Sequence, residues 1–423
     1  MSRGSLGVAA FSTIVEWYDF TLYLYLATVL SRVFFGGGDA SLLVALGGFA
    51  VAYLMRPLGA LFFGHIGDRY GRRRTMLASV ALMSAAMFAM ALLPTHAQAG
   101  AWSGALLIAL RCVMGFAVGG EYTGVVAYLL EGAPVRRRGL VTSLAAAASE
   151  VGALLAVAAS ALTVGLLDAS AVESWGWRLP FLFGAALAVT VWVLRATMQE
   201  SPEFERQRAA GTVPANPLRH ALVHHRAGIA RGFAISALGS ITYYVGIVYV
   251  PTLLTSTGAR GEAAALGLST WAAIAVIAVT PLVGLLSDRL GRRPVLVLMA
   301  LCSAVLPITL FAMMTRGSEA SALAGALLLA GVAGGVSAVG AVATAEQFPG
   351  EGRLSGLAWG ATLATAVFGG LTPLLAQWLV GATGWPLVPG AMIAVVAVLV
   401  LPVLVWMPET APVGRRGVAQ STA

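Results

Sequence analysis

The stretch "EWYDF" at residues 16–20 sets two carboxylates, Glu16 and Asp19, inside an apolar run long enough to cross a membrane. Tyr23 follows seven residues after Glu16, so Glu16, Asp19 and Tyr23 can share one helix face. Other apolar runs hold Arg56, Arg111, Glu121 and Glu150. At about 1.5 Å per residue, Glu16, Arg56, Glu121 and Glu150 fall near mid-membrane, with Arg111 in the outer half of its span. Each charge at a helix centre costs about 2.5–3.5 kcal/mol on insertion scales. Six facing lipid would cost on the order of 15–20 kcal/mol, more than the net stability of most proteins. They must pair or face a polar cavity.

The chemistry such a set can do is linked binding of an anion and a proton. A desolvated carboxylate holds its proton readily, while a neighbouring arginine drives the proton off. A substrate carboxylate that captures the arginine frees the acid to take a proton. On this reading Arg56 and Arg111 take the substrate's anionic end, and Glu16, Asp19, Glu121 and Glu150 are the proton-site candidates. The competing reading is a static salt-bridge network, disfavoured because buried ion pairs seldom stabilise a fold better than apolar packing does.

The elements that must position these residues are transmembrane helices. Of 423 residues 59% are hydrophobic and only 10% charged, against about 25% charged in a soluble domain. Runs of about 20 apolar residues suit a hydrocarbon core of about 30 Å. Twelve occur, near 6–32, 41–66, 75–94, 101–131, 140–167, 178–196, 232–254, 264–286, 294–314, 321–345, 355–380 and 386–407. The short "MSRGSLGVAAF" start reads as a tail before the first span rather than a cleaved signal.

All 26 basic residues are arginine. Twenty of them, Arg195 and Arg292 included, fall in loops and tails on one side, and only Arg32, Arg260 and Arg316 on the other. This bias makes both termini cytoplasmic, so the net charge of +8 reflects topology and not nucleic-acid binding. Cys112 and Cys302 stand far apart in apolar runs and suggest neither a disulfide nor a metal site.

The chain repeats itself. "GHIGDRYGRR" (64–73) matches "GLLSDRLGRR" (284–293), and "EGAPVRRR" (131–138) matches "EQFPGEGR" (346–353), at offsets of 220 and 215. Two motifs at nearly one offset mean a duplicated six-helix unit. The expected organisation is a first bundle over 1–196, a cytoplasmic linker over 197–231 and a second bundle over 232–423. Parallel repeats of this kind build secondary transporters with the substrate site between the halves.

These residues resemble the major facilitator superfamily, through G-x3-D-R-x-G-R-R in loops 2–3 and 8–9. Within it, "EWYDF", "RPLGALFFGHIGDRYGRR" (56–73), "RCVMGFAVGGEYTG" (111–124), "WGWRLPF" (175–181) and "FGGLTPLLAQWLV" (368–380) resemble the bacterial metabolite:proton symporters. The resemblance implies an all-α polytopic membrane protein, with twelve transmembrane helices in two pseudo-symmetric six-helix bundles. It also implies inner-membrane, proton-driven import of a small polar metabolite. Members of the family take citrate, oxoglutarate, shikimate and related acids, or proline and betaine. This chain differs in carrying Glu150 where members often have glutamine or an apolar residue. It also ends within 16 residues of the last span, without the long coiled-coil extension of some osmolyte-sensing members.

The second half has no acid or base at mid-membrane. Tyr243 and Tyr244 in "ITYYVGIVYV", Trp17, Tyr23 and Trp359 are the candidate substrate contacts beside the arginines, since such rings can hold a cation or an aliphatic body. Arg178 is expected to anchor span 6 at the outer interface beside Trp175 and Trp177. Gly115 and Gly119 read as close helix packing. The candidate gate residues are Asp68, Arg72, Glu131, Arg138, Asp288, Arg292, Glu346 and Arg353. Asp68 and Asp288 can meet helix N-termini or Arg72 and Arg292, while Glu131 with Arg138 and Glu346 with Arg353 can form breakable pairs.

The expected function is proton-coupled symport of a carboxylate-bearing organic acid by alternating access, the protein working as a monomer in the lipid bilayer. A zwitterion such as proline or betaine is the alternative substrate, and a non-transporting nutrient sensor the alternative of another class. No nucleotide loop, metal cluster or nucleophile constellation is present, so neither an enzyme nor a cofactor is expected. The proton gradient is the energy source.

Overall fold

The computed structural model describes residues 3–70, 72–119, 121–196, 209–210, 217–348 and 353–412. The regular structure of these residues is helical throughout. Each of the twelve expected apolar runs is a helix or a broken helix. Seven are long and apolar enough to cross a membrane in one piece. Two bent pairs, Arg226–Val248 with Val250–Ser256 at 44° and Arg292–Val305 with Pro307–Arg316 at 47°, act as broken spans 7 and 9.

Both bends come from proline. Pro307 has no N–H to continue the helix, and the bend in span 9 falls there. Pro251 stands just past the bend in span 7, and the turn before it, Tyr244–Val248, is widened to π geometry with Tyr249 N–H donating to Tyr244 O at 2.8 Å. The remaining three runs are span 1 (Arg3–Tyr25 and Ala27–Phe35), span 3 (Arg72–Ala91) and span 4 (Ala101–Ala117 and Glu121–Gly132).

One apolar core runs through spans of both sets of six. Span 5 (Arg138–Leu166) lies along span 8 (Glu262–Leu290) and along span 1, while span 2 (Asp39–Tyr70) lies along span 4 and the π-wound part of span 11. Span 10 is Glu319–Glu346 and span 6 is Arg178–Ala196. Glycine makes the closest approaches possible: a Cβ on Gly115 would run into Ala52 O of span 2. Gly291, in the loop between spans 8 and 9, has φ +109°, a conformation that favours glycine. The side chains that face outward are mostly large and apolar, Leu162, Trp271, Leu282 and Leu399 among them, as a lipid-facing surface requires.

About half of the segment expected as a linker, 197–231, lies outside the described residues. Its described end is helical, and Arg226 and Arg231 belong to span 7 itself.

Candidate functional site

Span 1 carries its acids into the protein interior, with Glu16 1% exposed and Asp19 fully buried. Each meets an arginine from a different span. Arg56 Nη2 stands 3.4 Å from Glu16 Oε1, and Arg111 Nη1 stands 2.8 Å from Asp19 Oδ2. The Phe20 ring lies between the two guanidiniums, its centroid 3.8 Å from Arg56 Cζ and 5.3 Å from Arg111 Cζ. The two pairs therefore form one connected unit.

Glu121 has a partner that the sequence reading put elsewhere. Arg195, counted there among the cytoplasmic loop arginines, is 1% exposed at the end of span 6 and closes on Glu121 as an ion pair. It also donates to Ser12 Oγ at 2.6 Å, and Ser79 Oγ donates to Glu121 at 3.0 Å. An arginine in the last turn of a span can turn inward when a buried carboxylate waits at its level. Arg292 is a second such case, fully buried although counted as a loop arginine. The unpaired acid Glu121 in the sequence was the available signal.

Glu150 differs from the other three acids. It is 2% exposed in span 5, and no arginine among the described residues pairs with it. Its polar neighbour is Tyr243, from span 7.

A cavity of about 130 Å³ opens between the two sets of spans. Its chemically active wall is Glu16, Trp17, Arg56, Glu150, Tyr243 and Tyr244. Trp17 meets Tyr243 edge-on at 5.2 Å and stacks near Tyr244 at 6.1 Å, so three rings form one patch. The cavity continues past Val126, Thr344 and Leu357 toward the arginine-rich side. Toward the other side it ends at a layer of Phe20, Phe49, Tyr53 and Tyr244, where the Tyr53 and Tyr244 hydroxyls meet.

Five candidates stand off this wall. Asp19, Arg111 and Glu121 are engaged in the pairs behind it. Tyr23 is fully buried, donating to Ala45 O at 2.8 Å with its ring 4.7 Å from the Arg111 guanidinium, because the helix has turned its hydroxyl toward span 2. Trp359 is half-buried beside the cavity, and span 11 contributes Ala361, Thr362 and Thr365 instead. Arg178 holds the outer end of span 6, donating to Ser174 O and Leu93 O with its guanidinium over the Trp177 ring.

Of the gate candidates, the side chains of Asp68, Arg72 and Glu131 lie outside the described residues. Asp288 is the most connected of the rest. Its carboxylate accepts the Gly139 and Leu140 N–H groups, each at 2.9 Å, at the start of span 5, and pairs with Arg292 at 2.8 Å. Span 8 is thus tied to the N-terminus of span 5 by a carboxylate on a helix dipole. Glu346 pairs with Arg292 at 3.2 Å and accepts from Thr410 Oγ1 at 2.7 Å, correcting the expected pairing with Arg353. Arg353 donates to Phe348 O at 3.3 Å. Arg138 is half-buried at the head of span 5.

A cluster on the other side was absent from the sequence reading. Arg32, at the end of span 1, pairs with Glu173 at 2.6 Å and with Glu262, the first residue of span 8, at 2.7 Å. It bridges the first six spans to the second six.

Comparison with known proteins gives two family models in tandem. Residues 6–215 match the "Sugar (and other) transporter" model and residues 232–422 the "Major Facilitator Superfamily" model. The chain is 31% identical over 420 residues to a proline/betaine transporter of Salmonella typhimurium, covering 97% of this chain and 84% of that one. It is 31% identical over 390 residues to a citrate-proton symporter of Klebsiella pneumoniae, covering 91% and 87%. Among solved structures, the proton:xylose symporter XylE bound to 6-bromo-6-deoxy-D-glucose superposes with a TM-score of 0.78 at 21% identity over 96% of both chains. That likeness gives the fold: twelve spans in the major facilitator arrangement.

Proposed function

The chain belongs to the major facilitator superfamily and, within it, to the bacterial metabolite:proton symporters; from that premise we propose that it imports a small zwitterion together with protons. The observation that carries this reading is the charge of the cavity, where two carboxylates, Glu16 and Glu150, face one guanidinium, Arg56. A polyanion entering there would find one guanidinium for its two or more carboxylates. A molecule with one carboxylate and one cationic nitrogen matches the wall, and the ring patch suits its cation. The cavity of about 130 Å³ is close to the engineered cavity of 150 Å³ that holds one benzene, so the body is small. Relatives named for proline and betaine support this reading, as those named for citrate and shikimate support an organic acid.

Coupling follows from the pairs. The substrate carboxylate takes Arg56, whose contact with Glu16 is the longest of the three at 3.4 Å. Glu16, left without its cation in a desolvated wall, takes a proton. Asp19 with Arg111 is the second coupling pair, joined to the first through Phe20, and Glu121 with Arg195 is the third. The proton gradient supplies the energy, and the energetic requirement on the protein is only that substrate and proton binding be linked.

Alternating access uses the contacts at the two ends. On the arginine-rich side Asp288, Arg292 and Glu346 hold the ends of spans 5, 8, 9 and 10 together, with Asp68, Arg72, Glu131, Arg138 and Arg353 as the further gate positions. That side is cytoplasmic, both termini included, and the protein works as a monomer in the bacterial inner membrane. The duplicated bundles, 1–196 and 232–423, rock about the cavity.

Uptake into proteoliposomes under an imposed inward proton gradient tests the reading. Betaine and proline should accumulate, and citrate and oxoglutarate should not. The reverse result would establish the organic-acid reading. No accumulation of any of them would favour a membrane sensor, for which the relatives offer no support.

A further inference from the structure

Glu150 is the buried charge that the coupling scheme leaves unused. Three buried polar side chains meet there: Glu150 and Tyr243 interact with each other, and Tyr25 Oη stands behind them with no hydrogen-bond partner among the described residues. All three side chains are at most 4% exposed. Tyr243 and Tyr25 are both close enough to feel the Glu150 charge. A buried polar group left unmade costs about 1–3 kcal/mol, and a lone carboxylate in an apolar wall costs more. Glu150 and Tyr243 stand on the wall of the main cavity, with Tyr25 lining the smaller one, and a buried carboxylate on a cavity wall with no arginine beside it is a site whose partner is the ligand.

The rings define what that ligand is. Trp17 and Tyr244 lie nearly parallel, at 19°, and Tyr243 stands edge-on to both, at 86° and 88°. Aromatic faces around a carboxylate attract a cation that is weakly hydrated, as a substituted ammonium is. A hydrated metal ion would want several oxygen ligands at fixed geometry, and no group of three or more His, Cys, Asp or Glu side chains that could hold one occurs among the described residues. A neutral sugar hydroxyl would leave the carboxylate uncompensated.

We infer that Glu150, backed by Tyr243 and flanked by Trp17 and Tyr244, is a cation subsite that selects substrates carrying an alkylated ammonium. It rests on the zwitterion reading above and adds the specificity residue to it. Arg56 and Glu150 then hold opposite ends of one molecule: span 2 takes the carboxylate and span 5 the nitrogen. A secondary ammonium donates its N–H groups to Glu150 Oε2 and Tyr243 Oη, which satisfies both. A quaternary ammonium is held by charge and by the ring faces alone.

Betaine and its uncharged carbon isostere, tert-butylacetate, separate the charge from the shape. In proteoliposomes with an inward proton gradient, the wild-type protein should prefer betaine to tert-butylacetate by at least roughly tenfold in half-saturation, the scale of a charge-assisted contact. Glu150→Gln keeps the shape and removes the charge. It should raise the half-saturation for betaine roughly ten- to a hundredfold and leave that for tert-butylacetate unchanged. Trp17→Leu, which leaves both carboxylates in place, should also weaken betaine and spare the isostere. An unchanged half-saturation for betaine in Glu150→Gln, or an equal loss of both compounds, would overturn the subsite. A wild-type protein that accumulates citrate and not betaine would instead overturn the zwitterion reading on which the subsite rests. Should Glu150→Gln fail to insert, Glu150→Asp and Trp17→Leu decide the matter, the first expected to keep the preference for betaine and the second to lose it.

Discussion

Arg111 Nη1 stands 2.8 Å from Asp19 Oδ2 with neither side chain exposed, and this contact ties span 4 to span 1 in the protein interior. The pair is incompletely satisfied, since Asp19 Oδ1 and the Nε and Nη2 of Arg111 have no hydrogen-bond partner among the described residues. A buried pair with spare lone pairs and spare donors can separate when a proton neutralises the acid, because protonation removes the attraction that holds Arg111.

Asp19→Asn should therefore abolish proton-driven accumulation while substrate exchange between the two sides survives. It should also leave a buried guanidinium unpaired, a loss of about 3–5 kcal/mol, visible as a lower thermal midpoint in detergent. The double variant Asp19→Asn with Arg111→Gln should recover part of that stability without recovering coupling. Full gradient-driven accumulation by Asp19→Asn would remove Asp19 from the coupling unit.

Arg195 and Glu121 test a static role beside a moving one. Arg195 donates to both Ser12 and Glu121, so it fastens spans 1, 4 and 6 at one point. Arg195→Gln should lower the thermal midpoint and the amount of inserted protein, as loss of one partner of a buried pair does. Arg195→Lys keeps the charge but not the forked donors, and should restore insertion only in part. Insertion and stability equal to wild type in Arg195→Gln would show that the pair contributes little.

How much of this was legible in the sequence divides by physical cause. The twelve spans and the duplicated loops followed from apolar run length and from two motif offsets, which depend only on local composition. That Glu16 and Arg56 would be buried near one another followed from depth along the helices. Which acids reach the cavity did not follow. Glu16 and Asp19 are three residues apart, so their directions differ by about 60° on a helix of 3.6 residues per turn. That difference sends one to the cavity and the other to Arg111. The inward turn of Arg195 and the bridge from Arg32 to Glu262 depend on which spans become neighbours, information that a single span does not carry. The switch of Glu346 from Arg353 to Arg292 has the same origin, since it depends on span 9 packing beside span 10.

Asp288 joins span 8 to the first turn of span 5 through two backbone N–H groups. Asp288→Asn can keep at most one of those bonds, because an amide offers one oxygen. The variant should insert normally and lose most of its transport rate, with the arginine-rich side more open to water-soluble thiol reagents at a cysteine placed by Ser143→Cys. Unchanged transport would mean that this contact serves topology alone.

Arg32 closes the opposite side. It bridges Glu173 and Glu262 with all three side chains partly exposed, at 36%, 42% and 25%. Partly exposed pairs contribute about 0–1 kcal/mol, so the bridge biases the equilibrium and does not lock it. A small cavity lined by Tyr25, Thr252 and Glu262 lies beneath it. In a background free of Cys112 and Cys302, a Thr252→Cys variant should label slowly from the side opposite the termini. Adding Glu262→Gln removes the only contact of Arg32 with span 8 among the described residues. It should raise the labelling rate up to roughly fivefold, the factor that about 1 kcal/mol allows. High salt should have a similar effect on the parent protein and less on Glu262→Gln, because screening weakens a bridge that is still present. Labelling that responds neither to the substitution nor to salt would show that the two sides of the cavity close without this bridge.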